Sequence, residues 1–303
     1  MGDWAAVCKA IRESADRYDL VRTQALEELH QYTNRNSVIY YSGWLQKSHL
    51  GLPFLLFEIN DVDMNSFMSV VSRLPKDRGL DLILHTPGGD AAATEAIGDY
   101  LRSLFSDIRV IVPQLALSAG TMLACIGSRI VMGKHSCLGG FDPLMGNSSA
   151  RTIVDDFWNA VNEVKKDSAN AIAWSTLIHN YAPFVSEAQR AIEWSEDIVT
   201  GWLSSDMLSN EQDPENAAKA VIAHFTQLQH TKAHRRHIGP ERAAAWGLKV
   251  DKLEQDPRLQ DLVLTVHHST VATLTDLDAY KIIQGQASPP VVLRVAKGDS
   301  SEQ

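Results

Sequence analysis

The chain has 303 residues and a mass of 33.5 kDa, too much for one small domain and enough for an α/β domain with an extension. Apolar residues make up 45% and charged residues 21%, ordinary globular proportions that exclude wholesale disorder. A net charge of −9 and a pI near 5.6 argue against nucleic acid or an anionic membrane as the main partner. Cys8, Cys125 and Cys137 form no metal-like pair and are an odd count, which suits a reducing compartment. Met1-Gly2-Asp3-Trp4 opens no apolar leader, so a cytoplasmic location is expected. No pattern calls for a cofactor.

In chain order, residues 4–33 read as one amphipathic helix, with Val7, Ile11, Ala15, Leu20, Ala25 and Leu29 near helical spacing. Strand-like apolar runs follow at Val38–Tyr41, Leu55–Ile59, Leu80–His85, Ile108–Val112 and Arg129–Met132. Helical patterns lie between them at Met64–Leu74, Ala91–Phe105 and Ala119–Ile126. This alternation predicts a mostly parallel sheet covered by helices, with chemistry at the carboxyl ends of the strands. The uncharged run Val110–Ser128 is long enough to raise a membrane span. Pro113, Gln114, Ser118, Gly120, Thr121 and Gly127 divide it into a strand and a buried helix instead. Beyond Pro143 helices are expected at 152–180, 184–209 and 214–230, interrupted at Pro183 and Pro214. Another covers roughly 258–283. The predicted organisation is an N-terminal helix (1–36), an α/β core (37–150), a helical C-terminal region (151–283) and a loosely held tail (284–303).

Two segments carry chemistry. In Leu82-Ile83-Leu84-His85-Thr86-Pro87-Gly88-Gly89-Asp90 a buried strand ends in two glycines and a helix begins at once. Glycines there let backbone N–H groups approach a ligand with no Cβ in the way. The spacing is neither a dinucleotide fingerprint nor a P-loop. In Val110-Ile111-Val112-Pro113-Gln114-Leu115-Ala116-Leu117-Ser118-Ala119-Gly120-Thr121, Ser118 stands at the start of a helix between small neighbours. It reads either as an N-cap or as a nucleophile whose following amide faces a developing oxyanion. A glycine turn on one strand and a serine elbow on the next supply both parts on one sheet edge.

Together with Ile130-Val131-Met132-Gly133-Lys134 and Leu138-Gly139-Gly140-Phe141-Asp142-Pro143, these segments resemble the serine dehydrogenase proteinase family. That family belongs to the Clp-protease/crotonase superfamily and is related to the signal peptide peptidase A type proteases. The resemblance implies a Clp/crotonase-like ββα superhelix with a helical C-terminal extension, assembly into homo-oligomers, and serine-type hydrolysis of polypeptides. It implies Ser118 as nucleophile, and Gly88 or Gly89 with Ala119 as the oxyanion hole. The histidine base of the Clp proteases falls on Phe141 here. The signal peptide peptidase A branch uses a later lysine, which places Lys165 and Lys166 as the candidate base. A lysine serves only when neutral, and lowering its pKa by about three units costs about 4 kcal/mol, normally met by burial.

His135 is a further candidate base, and Asp142 reads as a turn initiator or an orienting carboxylate. His230, His234 and His237 share a helical face, but Lys232, Arg235 and Arg236 beside them oppose a cation, so no metal site is expected. Two other functions are weighed against the peptidase: a crotonase-type acyl-CoA enzyme, which needs no serine nucleophile, and an inactive oligomeric scaffold.

Overall fold

The computed structural model describes residues 2–295 except 16, 147, 232 and 235, and only the backbone of 177, 228 and 229. The single N-terminal helix expected from the sequence is two helices, α1 (Trp4–Glu13) and α2 (Tyr18–Thr33). Ala15 turns the chain between them at φ 56°, a conformation no helix continues through. Asn34 ends α2 in the left-handed region, its N–H on the His30 carbonyl. Strand β1 (Asn36–Ser42) follows. No strand forms at Leu55–Ile59. Pro53 accepts from Leu56 N–H and Phe54 from Phe57 N–H, which winds Phe54–Leu56 into a 3₁₀ turn and leaves Ile59 alone to pair.

Next come α3 (Asp61–Val71), closed by a capping box between Asn60 and Asp63, then β2 (Leu80–His85) and α4 (Ala91–Leu104). The uncharged stretch resolves into β3 (Ile108–Val112), β4 (Leu115–Ala116) and α5 (Ala119–Ala124). β5 (Arg129–Met132) and β6 (Cys137–Leu138) complete this portion. Among the described residues no helix is long and apolar enough to cross a membrane.

Residues 139–237 form a compact unit of their own. It holds a two-strand ribbon, β7 (Leu144–Met145) and β8 (Ser148–Ser149), and the helices α6 (Ala150–Lys166), α7 (Ala171–Ser205), α8 (Pro214–Thr226) and α9 (Leu228–Thr231). The expected break at Pro183 does not occur: α7 runs through it, forgoing one backbone hydrogen bond. Its small core joins Ile153 of α6 to Val185, Ala188 and Ile192 of α7.

The other unit comprises residues 1–138 and 238–303, so the chain returns to the sheet it left. It adds α10 (Pro240–Ala245), β9 (Val250–Lys252), α11 (Pro257–Asp276), β10 (Ala279–Gly285) and β11 (Val291–Arg294). This corrects the expectation of a helix to 283 and a loose tail from 284. α11 stops at Asp276, and the β-branched Ile282-Ile283 and Val291-Val292 pair as strands. Residues 296–303 of that tail lie outside the described residues.

The sheet order is β11-β10-β1-β2-β3-β5-β9, parallel from β1 to β9 with β10 and β11 antiparallel at one edge. Ile39, Tyr41, Ile83, Ile111 and Val131 face Leu26 and Leu29 of α2 and Leu262, Val263 and Val266 of α11. The alternate residues Val38, Tyr40, Leu82, Leu84 and Val110 are equally buried, on the side where α3 meets β10 and α5 meets β2 and β3. Burial on both faces explains the unbroken apolar runs that mark these strands in the sequence.

A second ladder crosses the carboxyl ends. Ile59 bridges Gly89, Thr86 bridges Ala116 of β4, β4 pairs with β6, and Leu138 bridges Ile238. Each of β2, β3 and β5 thus continues into a short second pairing segment, and α4 and α5 follow the first two. This is the ββα spiral the resemblance implies.

Candidate active site

The glycine turn is held from both sides. Ile59 N–H donates to Gly88 O (2.8 Å) and Asp90 N–H to Ile59 O (2.9 Å). On the opposite edge Thr86 N–H donates to Leu115 O (3.0 Å) and Leu117 N–H to Thr86 O (3.1 Å). Asp90 then caps α4 by accepting from Ala93 N–H (2.8 Å). Gly88 lies at φ +105°, and a Cβ on it would stand 2.6 Å from both Leu117 O and Ser118 Cβ. A Cβ on Gly89 would overlap the Ile59 backbone. Only glycine lets the turn approach the elbow this closely.

Ser118 occupies φ 51°, ψ −124°, a region L-residues avoid and one that costs about 1–3 kcal/mol to hold. Its side chain makes no cap bond, which disposes of the N-cap reading. The hydroxyl is half-buried and, among the described residues, without a hydrogen-bond partner. Gly120 packs α5 against the glycine strand, since a Cβ there would meet Thr86 Cγ2 at 2.5 Å.

The backbone donors around this elbow can be assigned one by one. Gly120 N–H goes to Leu117 O (2.8 Å), and Thr121 and Met122 N–H go to Ser118 O (2.7 and 3.2 Å). Ala119 N–H, an orphan of the first helical turn, is left over. In the glycine turn, Gly88 N–H is taken by Thr86 Oγ1 (3.2 Å) and Asp90 N–H by Ile59 O, which leaves Gly89 N–H. Of the two glycines offered by the sequence, Gly89 is therefore the available donor. Among the described residues these two amides are unclaimed and flank a strained serine, an arrangement able to stabilise an oxyanion.

Ser118, Ala119, Gly88 and Gly89 are thus brought together in the sheet-bearing unit. Lys165 and Lys166 lie at the end of α6 in the other unit, and both are exposed. The Lys166 ammonium pairs with the Glu163 carboxylate at 2.7 Å. His135 is exposed on the loop after β5. Phe141 is buried and stacks on Phe225 with centroids 5.9 Å apart.

Sequence reasoning missed two features. Asp142, read as a turn initiator or an orienting carboxylate, is buried and joins His234 Nδ1 at 2.9 Å, a partner the sequence did not indicate. Among the described residues no group of histidine, cysteine or carboxylate side chains is placed to hold a metal. The second feature lies beneath the glycine turn. The His85 ring is fully buried against Trp44 (centroids 4.5 Å), Tyr41 (5.4 Å) and His267 (5.6 Å). Among the described residues neither of its nitrogens has a partner, and burial pushes its pKa down to about 3. His267 accepts from or donates to Tyr41 OH at 3.0 Å and is lowered too, by burial and then by the neighbouring His85 and His268.

Comparison with known proteins bears on the same region. The family profile described as ClpP-like SDH-type serine proteinase matches residues 12–262. An uncharacterized protein of Methanocaldococcus jannaschii is 32% identical over 234 residues, 77% of this chain and 74% of the relative. A second uncharacterized protein of that organism is 30% identical over 177 residues, 58% of this chain and 56% of its own length.

Proposed function

The chain belongs to the ClpP-like SDH-type serine proteinases, and from that premise we propose that it is a cytoplasmic, homo-oligomeric peptidase in which Ser118 is the nucleophile. One observation carries this reading: Ser118 sits in a strained elbow and, among the described residues, its hydroxyl and the flanking Ala119 and Gly89 amides have no partner. Ser118 Oγ attacks the scissile carbonyl carbon and passes its proton to the general base. The carbonyl oxygen becomes an oxyanion and accepts from Gly89 N–H and Ala119 N–H, each donor of this kind being worth roughly 3–4 kcal/mol of barrier. The base then protonates the leaving amine, and water hydrolyses the acyl-enzyme by the same route in reverse.

Lys165 or Lys166 is the proposed base, on the resemblance to the signal peptide peptidase A branch. Both are exposed, so the role requires substrate or assembly to bury one of them. A crotonase-type acyl-CoA reaction needs oxyanion donors but no strained serine, and an inactive scaffold has no use for the strain.

The test is casein hydrolysis by wild type beside Ser118→Ala, Lys165→Ala and Lys166→Ala. Loss of activity in Ser118→Ala with assembly intact supports the peptidase, and whichever second variant also falls silent names the base. Hydrolysis unchanged in Ser118→Ala would end the reading.

A further inference from the structure

A cavity of about 390 Å³ opens beside the glycine turn in the sheet-bearing unit. Its wall begins at Asp90, one residue past the Gly89 amide, and continues through the Ile59 segment that braces the turn. Leu55, Leu56, Val62 and Leu293 give it an apolar lining, and Leu55 and Val62 are 62% and 58% exposed. Three carboxylates border the same space: Glu58, Asp61 and Asp90.

Lys281 stands among them, and its hydrogen-bond donors are already engaged. Its ammonium has three N–H donors. They meet the two oxygens of the buried Asp63 carboxylate (2.9 and 3.0 Å) and the Glu58 backbone carbonyl (2.8 Å). Asp63 is completed by Tyr40 OH (2.7 Å) and Asn60 N–H (3.1 Å). That network leaves Lys281 no N–H for the Glu58 side chain, which feels only its charge. Among the described residues the Glu58 and Asp61 carboxylates have no partner, and Asp90 uses one oxygen as a helix cap. Glu58 is half-buried, and its carboxyl is held above the usual range first by burial and then by the charge of Asp90, with the charge of Lys281 acting the other way. An excess of carboxylates along one cavity wall favours an incoming cation. A metal does not fit, since no described group of carboxylates converges to hold one.

An apolar wall bordered by more carboxylates than cations matches a side chain with an alkyl stem and a cationic head. We propose that this cavity receives a lysine or arginine side chain of the bound polypeptide, so that cleavage is favoured near basic residues. The proposal rests on the peptidase reading above. An extended substrate advances about 3.3–3.6 Å per residue, so a cavity one residue from the oxyanion donor serves a substrate position within a residue or two of the scissile bond.

The test uses fluorogenic peptides carrying lysine, norleucine or glutamate at each position around a common cleavable core. Norleucine keeps the alkyl stem and removes the charge. Wild type is expected to cleave the lysine peptide roughly five- to tenfold faster in kcat/KM than its norleucine counterpart at one position. In Glu58→Gln that ratio falls below about twofold, and in Glu58→Lys it inverts in favour of glutamate. Ser118-dependent cleavage with no basic preference at any position, or a preference indifferent to both Glu58 variants, overturns the cavity assignment and leaves the peptidase standing. Anisotropy of the same peptides, labelled, on Ser118→Ala protein reads the cavity without turnover. Tighter, salt-sensitive binding of the lysine peptide that disappears with Glu58→Gln supports it even where hydrolysis fails, and equal binding of lysine and norleucine peptides overturns it.

Discussion

Replacing His85 with leucine should flatten the acid limb of the stability curve. The imidazole is fully buried with both nitrogens unpartnered among the described residues, and its pKa is pushed down to about 3 from 6.5. A depressed value means that the unfolded chain takes the proton first. The stability tied to neutral His85 is therefore present above pH 6.5 and is lost as pH falls toward 3. Integrating the linkage from pH 7 to pH 5 gives a loss of about 2 kcal/mol for this one group. Leucine has nearly the volume of histidine and does not titrate, so His85→Leu lacks that loss. Urea denaturation of both proteins at pH 7, 6 and 5 measures the difference, and carboxylates elsewhere cancel between them. Wild type should lose about 2 kcal/mol more than His85→Leu over that range. Parallel curves would mean that the ring is solvated or hydrogen-bonded, and the description of the pocket beneath the glycine turn would be wrong.

Three further outcomes follow from the site and its supports. Ser118→Gly should be about 1 kcal/mol more stable than Ser118→Ala in urea titration, because glycine releases the φ 51°, ψ −124° strain and gives back part of it as chain entropy; an alanine variant at least as stable would show the elbow to be relaxed. Gly88→Ala should cost about 2 kcal/mol or more, since its φ of +105° and a Cβ 2.6 Å from Leu117 O leave no space to relax; an unshifted thermal midpoint would contradict the close approach of turn and elbow. Lys281→Met should cost about 3–5 kcal/mol by stranding the buried Asp63 carboxylate, and the Lys281→Met/Asp63→Asn double variant should recover most of it; additive losses would show the pair to be uncoupled.

The strands that position the site are legible residue by residue. Leu80–His85, Ile108–Val112 and Arg129–Met132 form as the sequence predicts, because parallel strands covered on both faces are apolar throughout. The glycine turn and Ser-Ala-Gly elbow are equally plain, since only small residues fit between Thr86 and Ser118. Ile59 is illegible for the opposite reason: a single bridging residue after a 3₁₀ turn has no period to detect. β10 is lost in an apolar pattern that continues from α11, and a short edge strand such as β11 resembles a tail. The choice of Gly89 over Gly88 depends on which amide the Thr86 hydroxyl occupies, a fact of geometry alone. The pairing of Asp142 with His234, 92 positions apart, is likewise beyond any local signal.

The most direct measurement is reaction of the assembled protein with a fluorophosphonate probe, followed by intact mass and peptide mapping. A single adduct on Ser118, absent from Ser118→Ala and blocked by prior incubation with a peptide substrate, is expected of an activated nucleophile beside an oxyanion hole. No adduct, or an adduct that persists at another residue in Ser118→Ala, would contradict the assignment of Ser118 as the nucleophile.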